Sequence, residues 1–450
     1  MKILIVSALG ESTAAALRMM LDGHDVKYYI HTKDSQDVGK NMVDRVRSWE
    51  DLVPWADIVW FDDVEQAVTG RQARYGGGRW ATQVRQTGKP VVGGTELTDR
   101  LENDRMFGQE TLKQHGVDTV PMYRFHNFQT ARRYIERMGG AWAIKHNAQV
   151  DRDLNTVCWK PDAAMGFLDW LAEHWQALAP GKKVDFVLQE AVKGVEIACT
   201  GFFNGTHFSP YFLVNQEYKK LMDGDEGPAT GQMGEMDQVQ YMPDLATRTL
   251  GRLTPLLAKE GFTGFIDVNV IATPSQTVPL EFTARPGYPT LWSCTEALDS
   301  DFASCLQWMS GCWPLAPQFT KDFLCNIVIA SGTWPRADDE GKNDGLMLKG
   351  VKDVGVKHVH LLDVQVNNKG DIMSAGPMGM MCAVTARGRD PETAIKMAYE
   401  TAKHLKVVPY RIMRHDIGQG FVKDMARLAS WGWVDFDQPH PGAGEDGDAE

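Results

Sequence analysis

The sequence predicts an α/β and α+β protein of several domains that begins with a Rossmann-like unit. Predicted strands and helices alternate with short connections over residues 1–94, a pattern typical of a parallel sheet covered on both faces. Beyond Trp313 the pattern changes to short strands and one clear helix, which indicates an α+β unit. A chain of 450 residues is also too long for one hydrophobic core.

The N-terminal unit, residues 1–98, begins with an uninterrupted apolar strand. The sequence predicts a strand over 2–6, a helix over 12–21, and strands over 24–30, 56–61 and 90–93. The first strand–helix turn contains only Gly10 followed by Glu11, rather than the three spaced glycines of a dinucleotide site. We therefore expect a Rossmann-like domain that does not bind NAD.

The central unit, residues 99–316, mixes both kinds of element. The sequence predicts a helix over 99–115, helical spacing over 244–260, and strands over 142–145, 186–192, 196–203, 264–272 and 277–283. Asn204 and Gly205 form the expected hairpin turn after one of these strands.

The C-terminal unit, residues 317–436, is predicted to be α+β. Its expected elements are strands over 325–330, 358–366 and 380–385 and a helix over 391–405. The tail, 437–450, is rich in Gly, Pro, Asp and Glu, and we expect it to be disordered because it has little to bury.

Composition excludes several classes of function. The net charge of −12 leaves no broad basic face for a nucleic acid, and no apolar run approaches the length of about eighteen residues that a membrane span needs. The chain starts directly in a strand, without the anatomy of a signal peptide. Seven scattered cysteines form no Cys-x-x-Cys pair, which favours buried thiols in a reducing cytoplasm.

A glycine-rich run over 224–234 is the most informative stretch of the chain. Glycine allows a ligand to approach the backbone closely, and the N–H groups of such a loop can converge on an anion. The segment 280–287 places Glu281 and Arg285 four residues apart at the end of a predicted strand. The two segments together suggest a phosphate-handling site, and the alternative for the run alone is a surface loop.

Asp267 and Glu281 lie inside otherwise apolar strands joined by a short turn, so we expect them to face one another. Two buried carboxylates favour a cation, and oxygen ligands near phosphate suit Mg²⁺. Arg285 would add a fixed cation for phosphoryl charge. The alternative is a pair of edge residues that face water.

Three further positions could contact a nucleotide. Lys145 ends an apolar strand and Arg105 lies early in a helix, where phosphate binding is easy; the alternative for both is a solvated surface charge. The segment 189–196 has the character of a hinge between domains, whose backbone could contact adenine while Glu196 accepts bonds from ribose. A simple amphipathic strand end is the alternative there.

With these residues placed, the chain resembles the ATP-grasp ligases, most closely the phosphoribosylamine–glycine ligase family. The family's run Gly-Asp-x-Gly-Pro-Asn-Thr-Gly-Gly-Met-Gly corresponds to 224–234, and its Leu-Glu-Phe-Asn-Ala-Arg-Phe-Gly to 280–287. Its other motifs correspond to 101–105, 143–145, 189–196, 217–220, 329–335, 384–388 and 414–418. Their order is kept from residue 1 to about residue 420.

The resemblance implies a central ATP-grasp domain that binds ATP with Mg²⁺ or Mn²⁺. The implied nucleotide contacts are Arg105, Lys145, Glu190, Val192 and Glu196, and the implied metal ligands are Asp267, Glu281 and Thr283. The implied catalytic residues are Arg285, Lys219 and Asp225. The implied substrate contacts are Gly227, Thr230, Gly231, Arg285 and Gly287.

The implied reaction is carboxylate–amine ligation through an acyl phosphate, which in the parent activity joins glycine to 5-phosphoribosylamine. The sequence departs from the family at several positions: residues 146–153 lack the glycines of its phosphate-covering loop, and Thr283, Ala229 and Tyr288 replace Asn, Asn and Asp. Asp267 resembles the first metal carboxylate of other ATP-grasp ligases.

Three functions stay open from sequence: the parent activity, a ligase with another amino acid or amine, and a nucleotide-binding homologue without catalysis. We expect small-molecule substrates, namely an amino acid and a phosphorylated amine, and neither nucleic acid nor membrane as a partner. We also expect a cytoplasmic monomer or homodimer.

Overall fold

The computed structural model describes residues 1–66, 74–146, 152–337 and 341–436. The predicted disorder of 437–450 and most of the loop 146–153 fall outside these ranges. Among the described residues, no helix has both the length and the apolar character that crossing a membrane requires. The seven cysteines are free, and all but Cys312 are buried.

The N-terminal unit forms a five-stranded parallel sheet, as predicted. Its elements are β1 (Lys2–Ser7), α1 (Thr13–Leu21), β2 (Asp25–Ile30), β3 (Arg45–Val46), β4 (Ile58–Phe61), α2 (Gly77–Gln86) and β5 (Val91–Val92). The strand order β3-β2-β1-β4-β5 places the topological switch point between the carboxyl ends of β1 and β4, where α/β sheets bind ligands.

An antiparallel sheet in the order β6-β9-β7-β8 follows. This part of the chain contains α3 (Glu96–Asn103), α4 (Arg105–Gln114), β6 (Met122–Phe125), α5 (Phe128–Met138), β7 (Trp142–His146), β8 (Thr156–Cys158), α6 (Pro161–Leu178) and β9 (Phe186–Glu190). The single helix predicted over 99–115 was wrong, because Asp104 interrupts it. The Asp104 carboxylate accepts a hydrogen bond from the Phe107 N–H (3.1 Å) and so starts a new helix.

The next part of the chain supplies five strands to a larger sheet. Its elements are β10 (Val195–Asn204), β11 (Phe208–Glu217), β12 (Lys220–Met222), β13 (Glu226–Ala229), β14 (Gly234–Tyr241), α7 (Asp244–Arg248), α8 (Thr254–Lys259), β15 (Thr263–Ala272), β16 (Thr277–Thr283), α9 (Thr290–Ala297) and α10 (Phe302–Met309). The helical segment predicted over 244–260 is divided by a 3₁₀ turn at Leu250–Leu253. Pro255 lies in the first turn of α8, where its missing N–H costs nothing.

The C-terminal part completes that sheet and adds a smaller one. Its elements are β17 (Phe323–Ala330), β18 (Met347–Lys349), α11 (Val351–Val354), β19 (Val359–Leu361), β20 (Val364–Val366), β21 (Ile372–Ser374), β22 (Met380–Gly388), α12 (Pro391–His404), β23 (Lys406–Val408) and α13 (Phe421–Ser430). The single strand predicted over 358–366 was wrong: its two halves, β19 and β20, belong to different sheets.

The larger sheet has eight strands in the order β16-β15-β10-β11-β14-β17-β22-β19. It passes through the predicted boundary at residues 316 and 317, because β14 pairs with β17. One hydrophobic cluster also joins the N-terminal sheet to α9 and α10, and the rings of Trp60 and Phe302 lie 5.5 Å apart there. The parallel sheet and the eight-stranded sheet are therefore packed on a shared core.

Candidate active site

The register of β15 and β16 assembles a set of oxygen-bearing side chains. Asp267 pairs with Thr283, and Asn269 pairs with Glu281. Because side chains opposite each other, and those two residues apart, share a face, all four project from the same side of the sheet. The prediction that Asp267 directly faces Glu281 was wrong: the two are diagonal neighbours.

A one-residue register shift between Asn269 and Val270 creates this arrangement. The register nearer the turn, which pairs Ala272 with Thr277, would pair Asp267 with Phe282 if it continued. Glu281 would then project from the opposite face. The bulge therefore places both predicted carboxylates on one surface.

Asn269 is a site residue that the sequence reasoning missed. Its side chain is buried, and its Oδ1 has no hydrogen-bond partner among the described residues. Asp267 is also buried and accepts a hydrogen bond from Thr200 Oγ1 (2.9 Å). Burial, reinforced by Glu217, raises the pKa of Asp267 well above its usual value. The sequence signal for Asn269 was its spacing: Asp267 and Asn269 are polar residues two positions apart in an otherwise apolar strand.

Glu281 lies among three cations that come from distant parts of the chain. Its carboxylate is 2.8 Å from Arg105 Nη1 and 3.9 Å from Lys219 Nζ. Burial would raise the pKa of Glu281, but Arg105, Lys219 and Lys145 outweigh it and hold that pKa well below its usual range. The structure thus brings together four residues that the sequence analysis had selected separately.

Lys145 and Lys219 differ in how their charges are balanced. Burial lowers the pKa of Lys145 to about 8, although Glu281 partly opposes the shift. Lys219 Nζ lies 3.1 Å from Glu196 and 3.0 Å from Glu217. Burial would lower the pKa of Lys219, but Glu217, Glu196 and Glu281 together raise it well above its usual value. Fewer carboxylates therefore balance the positive charge of Lys145 than that of Lys219.

The predicted hinge lies at the edge of this cation cluster. The Glu190 N–H donates to the Pro121 carbonyl (3.1 Å). Across the described ranges, no backbone hydrogen bond is found for the Val192 peptide. Gln189 and Gln109 both donate to the Pro279 carbonyl, at 3.3 and 2.9 Å. These bonds attach β9 and α4 to β16.

The glycine-rich run folds as a short hairpin rather than as a loop alone. Strands β12 and β13 pair, and Gly224 and Asp225 have φ of 71° and 57°. Arg414, which is buried, makes a two-pronged contact with Asp416 (2.7 Å for each bond) and donates to Asp225 Oδ1 (2.7 Å). The hairpin is therefore anchored to the C-terminal part of the chain, and the Asp225 carboxylate is one of its anchors.

The predicted substrate contacts lie in β13, just after it, and just before α9. Thr230 Oγ1 donates to the Lys219 carbonyl (2.9 Å), and Gly227 has φ of 75°. Gly231 lies between β13 and β14. The carbonyl of Gly287 accepts a hydrogen bond from the Leu291 N–H (2.7 Å) at the start of α9.

Arg285 contacts the N-terminal part of the chain. Its Nε lies 3.2 Å from Glu102 Oε1 and 3.3 Å from Asp63 Oδ1. Burial would lower the pKa of Arg285, but Glu102 and Asp63 raise it above its usual value. The ion partners of this arginine are therefore Glu102 and Asp63 rather than Glu281.

The oxygen-bearing face is chemically suited to a hard cation. No group of three or more His, Cys, Asp or Glu side chains is placed to hold a metal within the described part of the chain. The candidate set combines the carboxylates of Asp267 and Glu281 with the neutral oxygens of Asn269 and Thr283. An all-oxygen set with an unpartnered amide oxygen fits Mg²⁺ or Mn²⁺, which accept such ligands together with water and phosphate.

Comparison with known proteins indicates an ATP-grasp domain in the same part of the chain. The family described as "Phosphoribosylglycinamide synthetase, ATP-grasp (A) domain" matches residues 103–290. A phosphoribosylamine–glycine ligase from Lactococcus lactis subsp. lactis is 26% identical over 73% of this chain and 78% of its own length. One from Clostridium acetobutylicum is 23% identical over 90% and 97%.

Solved structures agree on the fold. The crystal structure of phosphoribosylamine–glycine ligase from Thermotoga maritima superposes with a TM-score of 0.67, at 18% identity, over 93% of this chain and all of that one. The predicted resemblance and fold class are thereby confirmed. The three catalytic, five nucleotide-binding, five substrate-binding and three metal-binding positions inferred from motifs, with Arg285 counted in two of these sets, are not tested by these matches and stay predictions.

Proposed function

We propose that this chain is an ATP-grasp ligase that activates a carboxylic acid with ATP and joins it to an amine. The observation that carries this proposal is the cluster of Arg105, Lys145 and Lys219 around Glu281, beside the oxygen face of Asp267 and Asn269. Three cations and a cation-binding face suit the triphosphate of a metal-bound nucleotide.

We place the nucleotide between the four-stranded sheet and the eight-stranded sheet. The unpaired peptide groups of Val192 would contact adenine, Glu196 the ribose hydroxyls, and Lys145 and Arg105 the phosphates. Asp267, Asn269, Glu281 and Thr283 would hold Mg²⁺, which neutralises phosphate charge when it is bound. Residues of the chain supply the remaining positive charge.

The first chemical step transfers the γ-phosphoryl group. A carboxylate oxygen of the acid attacks the γ-phosphorus, and the bond from phosphorus to the β–γ bridging oxygen breaks, which gives an acyl phosphate and ADP. Fixed cations stabilise the charge that spreads over the phosphoryl oxygens. Lys219, held by Glu196 and Glu217, is positioned for this role.

The second step forms the amide. The nitrogen of the amine attacks the acyl carbon, the carbon–oxygen bond to phosphate breaks, and inorganic phosphate leaves while the nitrogen loses a proton. The relatives' names and the resemblance in motif order support glycine and 5-phosphoribosylamine as the substrates. Tyr288 and Ala229 support a second candidate, a ligase of the same class with a different amine.

Hydroxylamine trapping tests the activation step without the natural amine. With Mg·ATP and glycine, the protein should form glycyl hydroxamate and ADP in equal amounts, and a panel of other amino acids tests the choice of acid. Lys219→Met should slow hydroxamate formation by about 10²-fold or more. Lys259→Met, on an exposed part of α8, is the matched control.

Two results would contradict the proposed function. One is the absence of Mg·ATP binding by isothermal titration calorimetry. The other is hydroxamate formation that Lys219→Met leaves at the wild-type rate. ADP release that depends on 5-phosphoribosylamine alone would decide between the two substrate candidates in favour of the first.

A further inference from the structure

A second cleft lies where the N-terminal sheet meets the C-terminal part of the chain. It is lined by residues from the β1–α1 turn, the segment after β2, the turn before α9 and the segments around β20 and β22. Its lining residues are Leu9, Gly10, Glu11, Ser35, Val38, Tyr288, Leu362, Asp363, Pro377, Met378 and Met380. The β1–β4 switch point beside it is a usual place for a small-molecule site.

The charge around this cleft is strongly one-sided. Glu11 and Asp363 line the cleft. Asp62 lies close enough to Glu11 to raise its pKa. Glu11 and Glu102 in turn lie close enough to Asp63 to raise its pKa. Within the described residues, the lining contains no Lys, Arg or His. The nearby guanidinium of Arg285 already contacts Glu102 and Asp63.

Asp62 provides an independent sign of a missing ligand. Its side chain is fully buried at the carboxyl end of β4, and neither Oδ1 nor Oδ2 has a hydrogen-bond partner among the described residues. The hydroxyl of Ser12 beside it is also unpartnered. Tyr288, which lines the cleft, donates to the Asp62 carbonyl (3.0 Å). Buried carboxylates are normally paired. Burial raises the pKa of Asp62, and the hydroxyls of Ser12 and Ser7 and the charge of Arg285 oppose that shift. Among the described residues, none of these groups makes a hydrogen bond of good geometry to its oxygens.

The start of α1 would otherwise favour an anion, because helix N-termini carry partial positive charge. In this chain Glu11 precedes the Ser12 N-cap and brings its own carboxylate to that position. Asp363 adds a second negative charge, and its Oδ2 is fixed by the N–H groups of Met378 and Gly379 (2.8 and 2.9 Å). A phosphate group here would meet carboxylates instead of cations.

We propose that this cleft binds the amine substrate as a phosphate-free cation: an aliphatic diamine whose second, protonated amino group contacts Glu11, Asp62 and Asp363. This rests on the proposed ligase function and changes its amine from a phosphorylated to a cationic one. The apolar lining, with Val38, Leu362 and Met380 among its residues, suits the methylene chain. Tyr288, in place of the family's Asp, closes one side of the cleft.

Direct binding to the full-length protein tests the inference. The probes are 1,3-diaminopropane and 3-aminopropyl phosphate, which differ only in the terminal group, titrated calorimetrically with Mg²⁺ and a non-hydrolysable ATP analogue present. We expect the diamine to bind and Asp363→Asn to raise its Kd about tenfold, the typical effect of losing one charged hydrogen bond. Glu400→Gln, an exposed change on α12, should have no effect.

Binding of the phosphate probe in preference to the diamine would overturn the inference, as would an unchanged diamine Kd in Asp363→Asn. Should Asp363→Asn fold poorly, as a lost melting transition would reveal, Glu11→Gln takes its place with the same expectation. Among the described residues, no backbone N–H donates to Glu11 as Met378 and Gly379 do to Asp363, so its substitution is the milder one.

The trapping assay separates this inference from the proposed function. Hydroxylamine needs no second amino group, so in Asp363→Asn the diamine-dependent amide, detected by mass, should decline about tenfold relative to hydroxamate at low diamine. Normal hydroxamate formation with a preference for 3-aminopropyl phosphate would leave the ligase function intact and reject the cationic amine. If hydroxamate formation fails while the diamine still binds, the ligase function is rejected and the cleft is retained as a site for a cationic amine.

Discussion

The two ends of the segment 281–285 have opposite electrostatic surroundings. Glu281 is one carboxylate among Arg105, Lys145 and Lys219, and its pKa is held well below the usual range. Four residues later, Arg285 is the guanidinium that Glu102 and Asp63 share, and burial raises the pKa of nearby Asp62 to about 7. Each end therefore has one group surrounded by the opposite charge: Glu281 lies among cations, and Arg285 lies among carboxylates.

This difference matches the two kinds of substrate that a carboxylate–amine ligase must bind. A nucleotide triphosphate is a polyanion and requires an excess of fixed cations. An amine that arrives protonated requires the reverse. The hydrogen bonds from Gln189 and Gln109 to the Pro279 carbonyl hold the cationic end on β16. The ion pairs of Arg285 hold the acidic end at the turn after β16. Each of the following predictions perturbs one end and uses the other as its reference.

The largest effect is expected from Glu281→Gln. This change removes the negative charge that three cations share. It also replaces one carboxylate ligand of the proposed metal face with a neutral amide. We expect kcat for ADP formation to decrease by about 10³-fold. The affinity for metal-free ATP should not weaken, because the phosphates lose a repulsive neighbour. Steady-state kinetics and calorimetry measure the two quantities.

Glu260→Gln, an exposed change after α8, is the control for Glu281→Gln. Retained turnover in Glu281→Gln would show that the metal face lies elsewhere. Loss of diamine binding in the same variant would show that the two ends are not electrostatically separate, and would remove the basis of the comparison.

The cationic end could be predicted from sequence because its signals are local. Lys145 ends an apolar strand, and Glu281 lies in a motif whose neighbours are all recognisable, so each could be selected without knowing the fold. What could not be predicted was register. The bulge after Asn269 decides which face Glu281 occupies, and nothing in the turn residues specifies that shift.

The acidic end could not be predicted at all, because its carboxylates come from positions as distant as Glu11, Asp62 and Asp363. Each is unremarkable in its own segment, and only the three-dimensional packing of the N-terminal sheet against the C-terminal part brings them together. The same reason explains Arg285: its motif indicated a phosphate contact, whereas its partners Glu102 and Asp63 are supplied by tertiary structure.

A smaller effect, on stability, is expected from Asp62→Asn. The folded-state pKa of Asp62, about 7, lies above the unfolded value of 3.8, so the folded state binds the proton more tightly and loses stability as pH rises between these values. The unfavourable contribution reaches at most about 4 kcal/mol above pH 7. Asp62→Asn removes it, and should raise the melting temperature at pH 8 more than at pH 4.

Asp51→Asn, an exposed change before β4, controls for the loss of one surface carboxylate and should leave the melting temperature unchanged at both pH values. Equal shifts of Asp62→Asn at pH 4 and pH 8 would mean that the folded and unfolded states bind the same number of protons at Asp62 over this range, so that folding does not raise its pKa. A stabilised variant that binds diamine as well as wild type would also remove Asp62 from the proposed cleft.

The smallest effect is the pH dependence of diamine affinity. Burial raises the pKa of Glu11 to about 7, opposed by Arg285 and reinforced by Asp62 and Asp363, and raises that of Asp363 to about 6. Both carboxyls therefore gain charge between pH 5.5 and 7.5, over which a diamine stays protonated, and its affinity should increase about tenfold. Glu11→Gln should reduce this slope.

The cationic end supplies the internal reference for that measurement. Lys145, with a pKa of about 8, stays mostly protonated up to pH 7.5, so the affinity for a metal-bound ATP analogue should change little over the same range. A diamine affinity as flat as the nucleotide affinity would mean that Glu11 and Asp363 do not contact the bound cation. Parallel increases in both affinities would instead point to a pH-dependent change of the whole protein, because the two ends share no titrating group.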